Sequence, residues 1–154
     1  MEKSKQLRRR DLLAMAGVGT AFAALAASPA QAASFTGAEQ ANMRTVKDFC
    51  AAWSTRDVGK ISAFFADTAV YRVIETAKPV IGKDAIGKLL TMFLQQAQKV
   101  EFHAFETYAA GPIVLNRRRD SFVSSRGTRS FNVAGVFFVR DGKIAEWTDY
   151  TIKT

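Results

Sequence analysis

The stretch that decides the fold is Asn116-Arg117-Arg118-Arg119-Asp120, near the C-terminal end of the 154-residue chain. It lies in an apolar run, residues 113–123, whose composition is typical of a β-strand. Because alternate residues of a strand share a face, Arg118 and Asp120 point one way and the other two arginines point to the opposite face. A guanidinium and a carboxylate on an otherwise apolar face are costly unless they are paired or functional. The pattern therefore predicts a charged pair on the inner face of a sheet.

A second carboxylate, Asp149, lies in the last apolar run, residues 143–152. We expect Asp120, Arg118 and Asp149 to meet inside a pocket, where two close carboxylates resist double ionisation and share one proton. The alternative is an internal ion pair between Arg118 and one aspartate that only sets the register of the strands.

Three helices and five longer strands are predicted, in that general order. The first helix runs from Thr36 or Gly37 to about Ser54, with an apolar stripe at three- and four-residue spacing. Asp57 caps a short second helix that extends to Phe65, and Asp84 caps a third helix, residues 85–96. The strands cover residues 69–75, 100–109, 113–124, 129–139 and 143–152, and Asp141-Gly142 is a hairpin turn. The stripe of the first helix contains Val46, Phe49, Cys50 and Trp53.

Helices followed by consecutive strands predict an α+β domain over residues 33–154. We expect a curved antiparallel sheet that forms a cone, with the three N-terminal helices over a central apolar pocket. Such a pocket is a natural site for a small apolar ligand or substrate.

The N-terminus has the three parts of an export signal: basic residues 3–10, an apolar segment 12–27, and small residues at the Ala30/Ala32 spacing. Arg9-Arg10 with the two leucines that follow resembles a twin-arginine signal. We therefore expect residues 1–32 to be a signal peptide and the protein to be periplasmic or secreted. An uncleaved membrane anchor or an ordinary secretion signal is the alternative.

The composition disfavours several classes of function. The formal charge is +8, but residues 1–32 carry five Lys or Arg and two acids, which leaves 17 bases, 12 acids and a charge of +5. These bases are scattered, so we expect no nucleic-acid partner, and we expect no membrane association after cleavage. We expect no cofactor and no metal, because the single His103 and the scattered carboxylates do not form a ligand cluster. Cys50, the only cysteine, is expected to be a buried small hydrophobe.

The closing segment, Val136 to Tyr150, contains Asp-Gly-Lys-Ile-x-x-Trp-x-Asp-Tyr. Together with Arg118-x-Asp120 and the order of elements, it resembles the limonene-1,2-epoxide hydrolase family of the nuclear transport factor two-like, or polyketide-cyclase-like, superfamily. The resemblance covers residues 38–152. It implies a cone-shaped fold and cofactor-independent addition of water to a small apolar epoxide.

The resemblance also implies residue roles. Asp120 corresponds to the acid that protonates the epoxide oxygen, Asp149 to the base that deprotonates water, and Arg118 to the bridge between them. Tyr71 corresponds to a tyrosine that holds the water. The family has an asparagine two residues later, where this chain has Val73. The substrate pocket is then expected to contain Trp147, Val73, Asn116 and Phe122, with Asn116 as the candidate substitute for the missing amide.

Two other functions remain open from the sequence. The same pocket could isomerise or cyclise a ketone, with one aspartate as base and a neutral acid polarising the carbonyl. It could also bind a small ligand without chemistry. Apolar residues on both faces of the run 133–139, together with the habit of the family, predict a homodimer through the outer face of the sheet.

Overall fold

The computed structural model describes residues 34–153, so the predicted signal peptide lies outside the described residues. Helix α1 is Gly37–Ala52, and its N-cap is Thr36, as expected. Thr36 and Glu39 form a reciprocal capping box, which satisfies two of the free N–H groups at the start of the helix. The apolar stripe of α1 is buried. A 3-10 turn, Trp53–Thr55, follows the helix, and the Trp53 ring is buried next to the stripe.

The rest of the domain consists of two helices and six strands. Four of the five strand pairings are antiparallel, and β1 pairs in parallel with β6, so the sheet is mixed and not wholly antiparallel as predicted. The order across the sheet is β2-β1-β6-β5-β4-β3. The elements are α2 Val58–Ser62, β1 Phe65–Arg72, β2 Val80–Ile81, α3 Lys83–Gln95, β3 Lys99–Ala110, β4 Ile113–Ser124, β5 Gly127–Arg140 and β6 Lys143–Thr151.

Several element boundaries differ from those predicted, and two of these differences have a clear physical cause. Phe65 starts β1 instead of closing the second helix, because the Phe64 carbonyl accepts a sheet hydrogen bond from the Ile144 N–H at 2.8 Å. Helix α3 is capped by Gly82 rather than Asp84, which lies in its first turn. Gly82 has a φ of 92°, which only glycine adopts without strain, and its N–H donates to the Ala69 carbonyl at 2.8 Å.

The predicted hairpin between β5 and β6 is confirmed. Asp141 and Gly142 both have positive φ, 51° and 70°, as a type I′ turn requires. This turn fixes the register of the two strands that carry the second half of the site.

The helices cover one face of the sheet, and aromatic side chains fill the space between them. Trp147 on β6 lies near the centre of this core. It stacks on Tyr71 with ring centroids 4.0 Å apart and receives the Phe49 ring edge-on at 4.9 Å. Among the described residues, no helix is both long and apolar enough to cross a membrane.

Candidate active site

The inner face of β4 has the alternation that its sequence predicts. Asn116, Arg118 and Asp120 are buried, whereas Arg117 and Arg119 are exposed on the other face. The Arg118 side chain is completely buried, at 0% exposure, which is rare for a charged residue without partners.

Arg118 has carboxylate partners on two strands. Its Nε and Nη2 donate to the two oxygens of Asp120 at 2.8 and 3.0 Å. The same Nη2 donates to Asp149 Oδ2, on β6, at 2.6 Å. The two hydrogen bonds to Asp120 fix the plane of the guanidinium. Because Nη2 donates to both aspartates, it links the two carboxylates. The structure therefore brings together the three residues that the sequence predicts to meet.

The register of the sheet explains how Arg118 reaches across one strand. Asn116 on β4 pairs with Gly135 on β5, and Gly135 pairs with Asp149 on β6. A Cβ at position 135 would lie 2.2 Å from Arg118 Nη1 and 2.9 Å from Asn116 Oδ1. Because glycine has no side chain, the guanidinium can pass over β5 to Asp149. The sequence interpretation missed Gly135, although a glycine inside a strand is a known sign of close approach.

Asn116 holds the remaining side of the guanidinium. Its Oδ1 accepts from Arg118 Nη1 at 3.0 Å, and its Nδ2 donates to Cys50 Sγ on α1 at 3.3 Å. Both ends of the amide are therefore used within the protein, and the residue links α1 to the charged group. Cys50 is buried as expected, and burial raises the pKa of its thiol to about 11.

Trp147 contributes a hydrogen bond as well as a ring. Its Nε1 donates to Asp149 Oδ1 at 2.6 Å, so both oxygens of Asp149 have a donor. Trp147 and Asp149 are two residues apart on β6, so their side chains lie on one face of the sheet. This spacing in the sequence indicates that the two side chains can meet.

Burial raises the pKa of both carboxyl groups. For Asp120 the loss of hydration outweighs the opposing charge of Arg118 and raises the pKa to about 6. Burial also raises the pKa of Asp149, against Arg118 and the Trp147 hydrogen bond. Burial lowers the pKa of Arg118, but the Asp149 and Asp120 carboxylates outweigh this effect and raise it above its usual value. The group can therefore hold one exchangeable proton while the guanidinium stays charged.

The other predicted site residues lie around this group. Tyr71 stacks on Trp147, and burial followed by the charge of Asp149 raises the pKa of its phenol well above the usual value. No hydrogen bond joins the Tyr71 hydroxyl to the charged group within the described residues. Val73 follows the end of β1 and is partly buried against the core. Phe122 is also partly buried and has its edge toward Phe102, with ring centroids 6.0 Å apart.

Aromatic rings surround the guanidinium and close the interior of the cone. The Arg118 guanidinium carbon lies 5.0 Å from the centre of the Phe102 ring and 5.6 Å from the Trp147 ring. Asp120 and Asp149 keep 5% and 7% of their surface exposed, which is the only solvent contact of the three charged residues. The sequence predicted a central pocket, but the surface depressions of the described chain lie beside α3, and rings fill the interior at the charged group. Within residues 34–153 no cluster of His, Cys, Asp and Glu could hold a metal ion.

Comparison with known proteins gives the family context of this site. Residues 46–147 match a family model described as a SnoaL-like domain. An LEH-like epoxide hydrolase from M. tuberculosis is 27% identical, with a TM-score of 0.68, and the match covers 74% of this chain and 84% of that one.

Two further solved structures share the fold at lower identity. A proposed SnoaL-like polyketide cyclase from Jannaschia sp. CCS1 is 12% identical, with a TM-score of 0.68, covering 77% of this chain and 90% of that one. A hypothetical protein with a ketosteroid isomerase-like fold from Catenulispora acidiphila DSM 44928, in complex with trimethylamine, is 18% identical, with a TM-score of 0.63, covering 69% of this chain and 83% of that one.

Gly135→Ala tests whether the bare backbone of β5 holds the charged group together. The new methyl would overlap Arg118 Nη1, so we expect the free energy of unfolding to fall by about 1–3 kcal/mol. We also expect ligand binding or activity at the site to be lost. Chemical denaturation checks the first effect. Gly37→Ala is the matched control, because a Cβ there meets nothing within 4 Å. Equal stability of the two variants would show that Arg118 does not need this gap.

Proposed function

We propose that this chain, which belongs to the SnoaL-like domain family, adds water to a small apolar epoxide. The family lies within the nuclear transport factor two-like superfamily that the sequence resembles. The observation that carries the proposal is the buried Arg118 guanidinium, which is hydrogen-bonded to Asp120 and Asp149 together. The relative from M. tuberculosis that is 27% identical is described as an epoxide hydrolase, and this supports the same reaction here.

The reaction needs one proton delivered and one removed. Asp120, whose pKa is about 6, gives its proton to the epoxide oxygen as a carbon–oxygen bond of the ring breaks. A water molecule attacks that carbon, and Asp149 accepts the proton that the water loses. The product is a diol, and the proton then returns from Asp149 to Asp120. Two carboxyl groups in opposite protonation states thus perform both transfers.

Arg118 and the aromatic rings set the conditions for this chemistry. The guanidinium keeps the two carboxyl groups in fixed positions and moderates their repulsion. The rings of Phe102 and Trp147 exclude bulk water and suit an apolar substrate. Positioned acid–base catalysis of this kind typically increases the reaction rate by roughly 10²–10⁴-fold.

A second candidate reaction is isomerisation or cyclisation of a ketone in the same site. Two observations favour it: Val73 stands where the epoxide hydrolases have an asparagine, and the Asn116 amide is occupied by Arg118 and Cys50. No amide is then left among these positions to hold a nucleophilic water. In this reaction Asp120 would protonate or polarise the carbonyl, and Asp149 would remove a proton from the neighbouring carbon.

The outer face of the sheet supports a proposal about assembly. Opposite the helices, apolar side chains of the neighbouring strands β3 and β4 are exposed, and Tyr108 on β3 pairs with Leu115 on β4. Tyr150 on β6 is exposed on the same face, beyond β5. We propose that two copies of the chain associate through this face. The exposed large side chains there are Tyr108 at 53%, Ile113 at 42%, Leu115 at 47% and Tyr150 at 44%.

Hydrolysis is tested by incubating the protein with a panel of small alicyclic epoxides in ¹⁸O-labelled water. We expect a singly labelled diol from at least one of them. Asp120→Asn and Asp149→Asn should each lower kcat/KM by about 10²-fold or more, because each removes one proton-transfer group. Asp48→Asn, at an exposed aspartate of α1, is the matched control and should retain activity. Absence of labelled diol, combined with hydrogen–deuterium exchange beside a bound ketone, would favour the second reaction instead.

The pH dependence of kcat/KM tests the assigned acid. Because Asp120 must carry its proton to act as the acid, the rate should fall as pH rises through about 6, the pKa to which burial raises this group. The rate should also fall at low pH, where Asp149 becomes protonated, and the apparent constants belong to the pair. Initial rates between pH 4 and pH 9 show the profile. A rate that climbs steadily from pH 5 to pH 8 contradicts this assignment.

Leu115→Lys tests the proposed dimer face. A charge at this position should abolish association, since it would be buried against the apolar face of the partner. Light scattering coupled to size-exclusion chromatography should report a dimer for the wild type and a monomer for the variant. Met92→Lys, on α3 and 61% exposed, is the control and should stay dimeric. A monomeric wild type at tens of micromolar concentration would contradict the proposal.

A further inference from the structure

The indole N–H of Trp53 is a buried donor without a partner. Trp53 opens the 3-10 turn after α1 and is only 1% exposed, yet its Nε1 has no hydrogen-bond acceptor among the described residues. Leaving a buried donor unsatisfied costs about 1–3 kcal/mol. Native proteins seldom carry such groups, and each one calls for an explanation.

Several aromatic rings pack against Trp53, and rings accept hydrogen bonds poorly. Phe102 stacks on it with centroids 4.3 Å apart, and Phe49 and Phe122 lie at right angles to it at 6.2 and 6.4 Å. An N–H directed at a ring makes only a weak interaction. A ligand oxygen would therefore find this donor uncommitted.

Trp53 belongs to the same aromatic cluster as the charged group. Phe102, which stacks on Trp53, also lies 5.0 Å from the Arg118 guanidinium carbon. The Trp147 ring lies 6.1 Å from Trp53, and its own N–H is bonded to Asp149. Both tryptophans are 1% exposed, so burial does not distinguish them. What differs is that the protein supplies an acceptor to one and not to the other.

We propose that Trp53 is a specificity-determining residue whose Nε1–H donates to a second oxygen of the substrate, remote from the oxygen that reacts. This rests on the proposed function, in which the reacting oxygen lies at Asp120 and Asp149. The substrate class is then a small, mostly apolar ring that carries an epoxide or ketone and also an ether or carbonyl oxygen. Phe102 and Phe122 pack on Trp53 and are only partly buried, so the substrate would approach Trp53 from their side.

The two indole N–H groups can be observed directly by ¹H–¹⁵N NMR of the full chain, which contains two tryptophans. Trp53→Phe assigns the peaks. The probes are cyclohexanone, which has one oxygen, and tetrahydropyran-4-one and tetrahydropyran-3-one, which add a ring oxygen in nearly the same shape. We expect at least one of the two-oxygen probes to move the Trp53 peak downfield, and cyclohexanone to leave it close to its free position. Equal shifts with all three probes, or no shift with any, would overturn the proposal.

Affinities measured by the same titrations give a second readout. The wild type should bind the better two-oxygen probe about 3–10-fold more tightly than cyclohexanone, the value of one neutral hydrogen bond. Trp53→Phe should reduce this ratio to about one. Ser62→Ala removes the other buried polar atom that has no partner among the described residues, at the end of α2; it is the control and should keep the preference. A preference that survives in Trp53→Phe would also overturn the proposal.

The NMR titrations and the hydrolysis experiment in labelled water test the two proposals independently. A selective shift of the Trp53 peak without labelled diol from any epoxide would remove the hydrolase proposal and keep this one. Labelled diol without a selective shift of the Trp53 peak would keep the hydrolase proposal and remove the proposal for Trp53.

Discussion

A guanidinium with no solvent exposure, held between two carboxyl groups, is the constraint on which the rest of this domain depends. Breaking one side of such a buried group leaves an uncompensated charge, which typically costs about 3–5 kcal/mol. The strands that carry Arg118, Asp120 and Asp149 must therefore keep their register. Residues two strands apart meet only because the intervening strand offers bare backbone at Gly135.

The same arrangement explains why the site suits proton transfer. In water two aspartates near an arginine would both ionise, but here burial raises the pKa of each carboxyl group. Arg118 limits this rise and remains charged. Asn116 and Trp147 complete the arrangement by occupying the free side of the guanidinium and the second oxygen of Asp149. The hydrogen bonds of Arg118 thus both stabilise the fold and hold the carboxyl groups in position for the proposed proton transfer.

Much of this site could be predicted from the sequence because strand periodicity is a local property. The alternation in β4 placed Arg118 and Asp120 inside, and the turn signal at Asp141-Gly142 fixed the neighbouring strands. Non-local features could not be predicted in this way. The parallel pairing of β1 with β6 and the clearance over Gly135 depend on which strands become neighbours. The unpartnered N–H of Trp53 is visible only when all of its neighbours are known.

We infer that Asp120 and Asp149 share one proton beside Arg118. Titration of the aspartate side-chain carboxyl carbons by ¹³C NMR, on protein labelled at aspartate, tests this claim most directly. We predict that one equivalent of proton stays on the pair until the pH passes about 6, the pKa of Asp120. Two carboxyl groups that are both ionised at pH 5 would contradict the account.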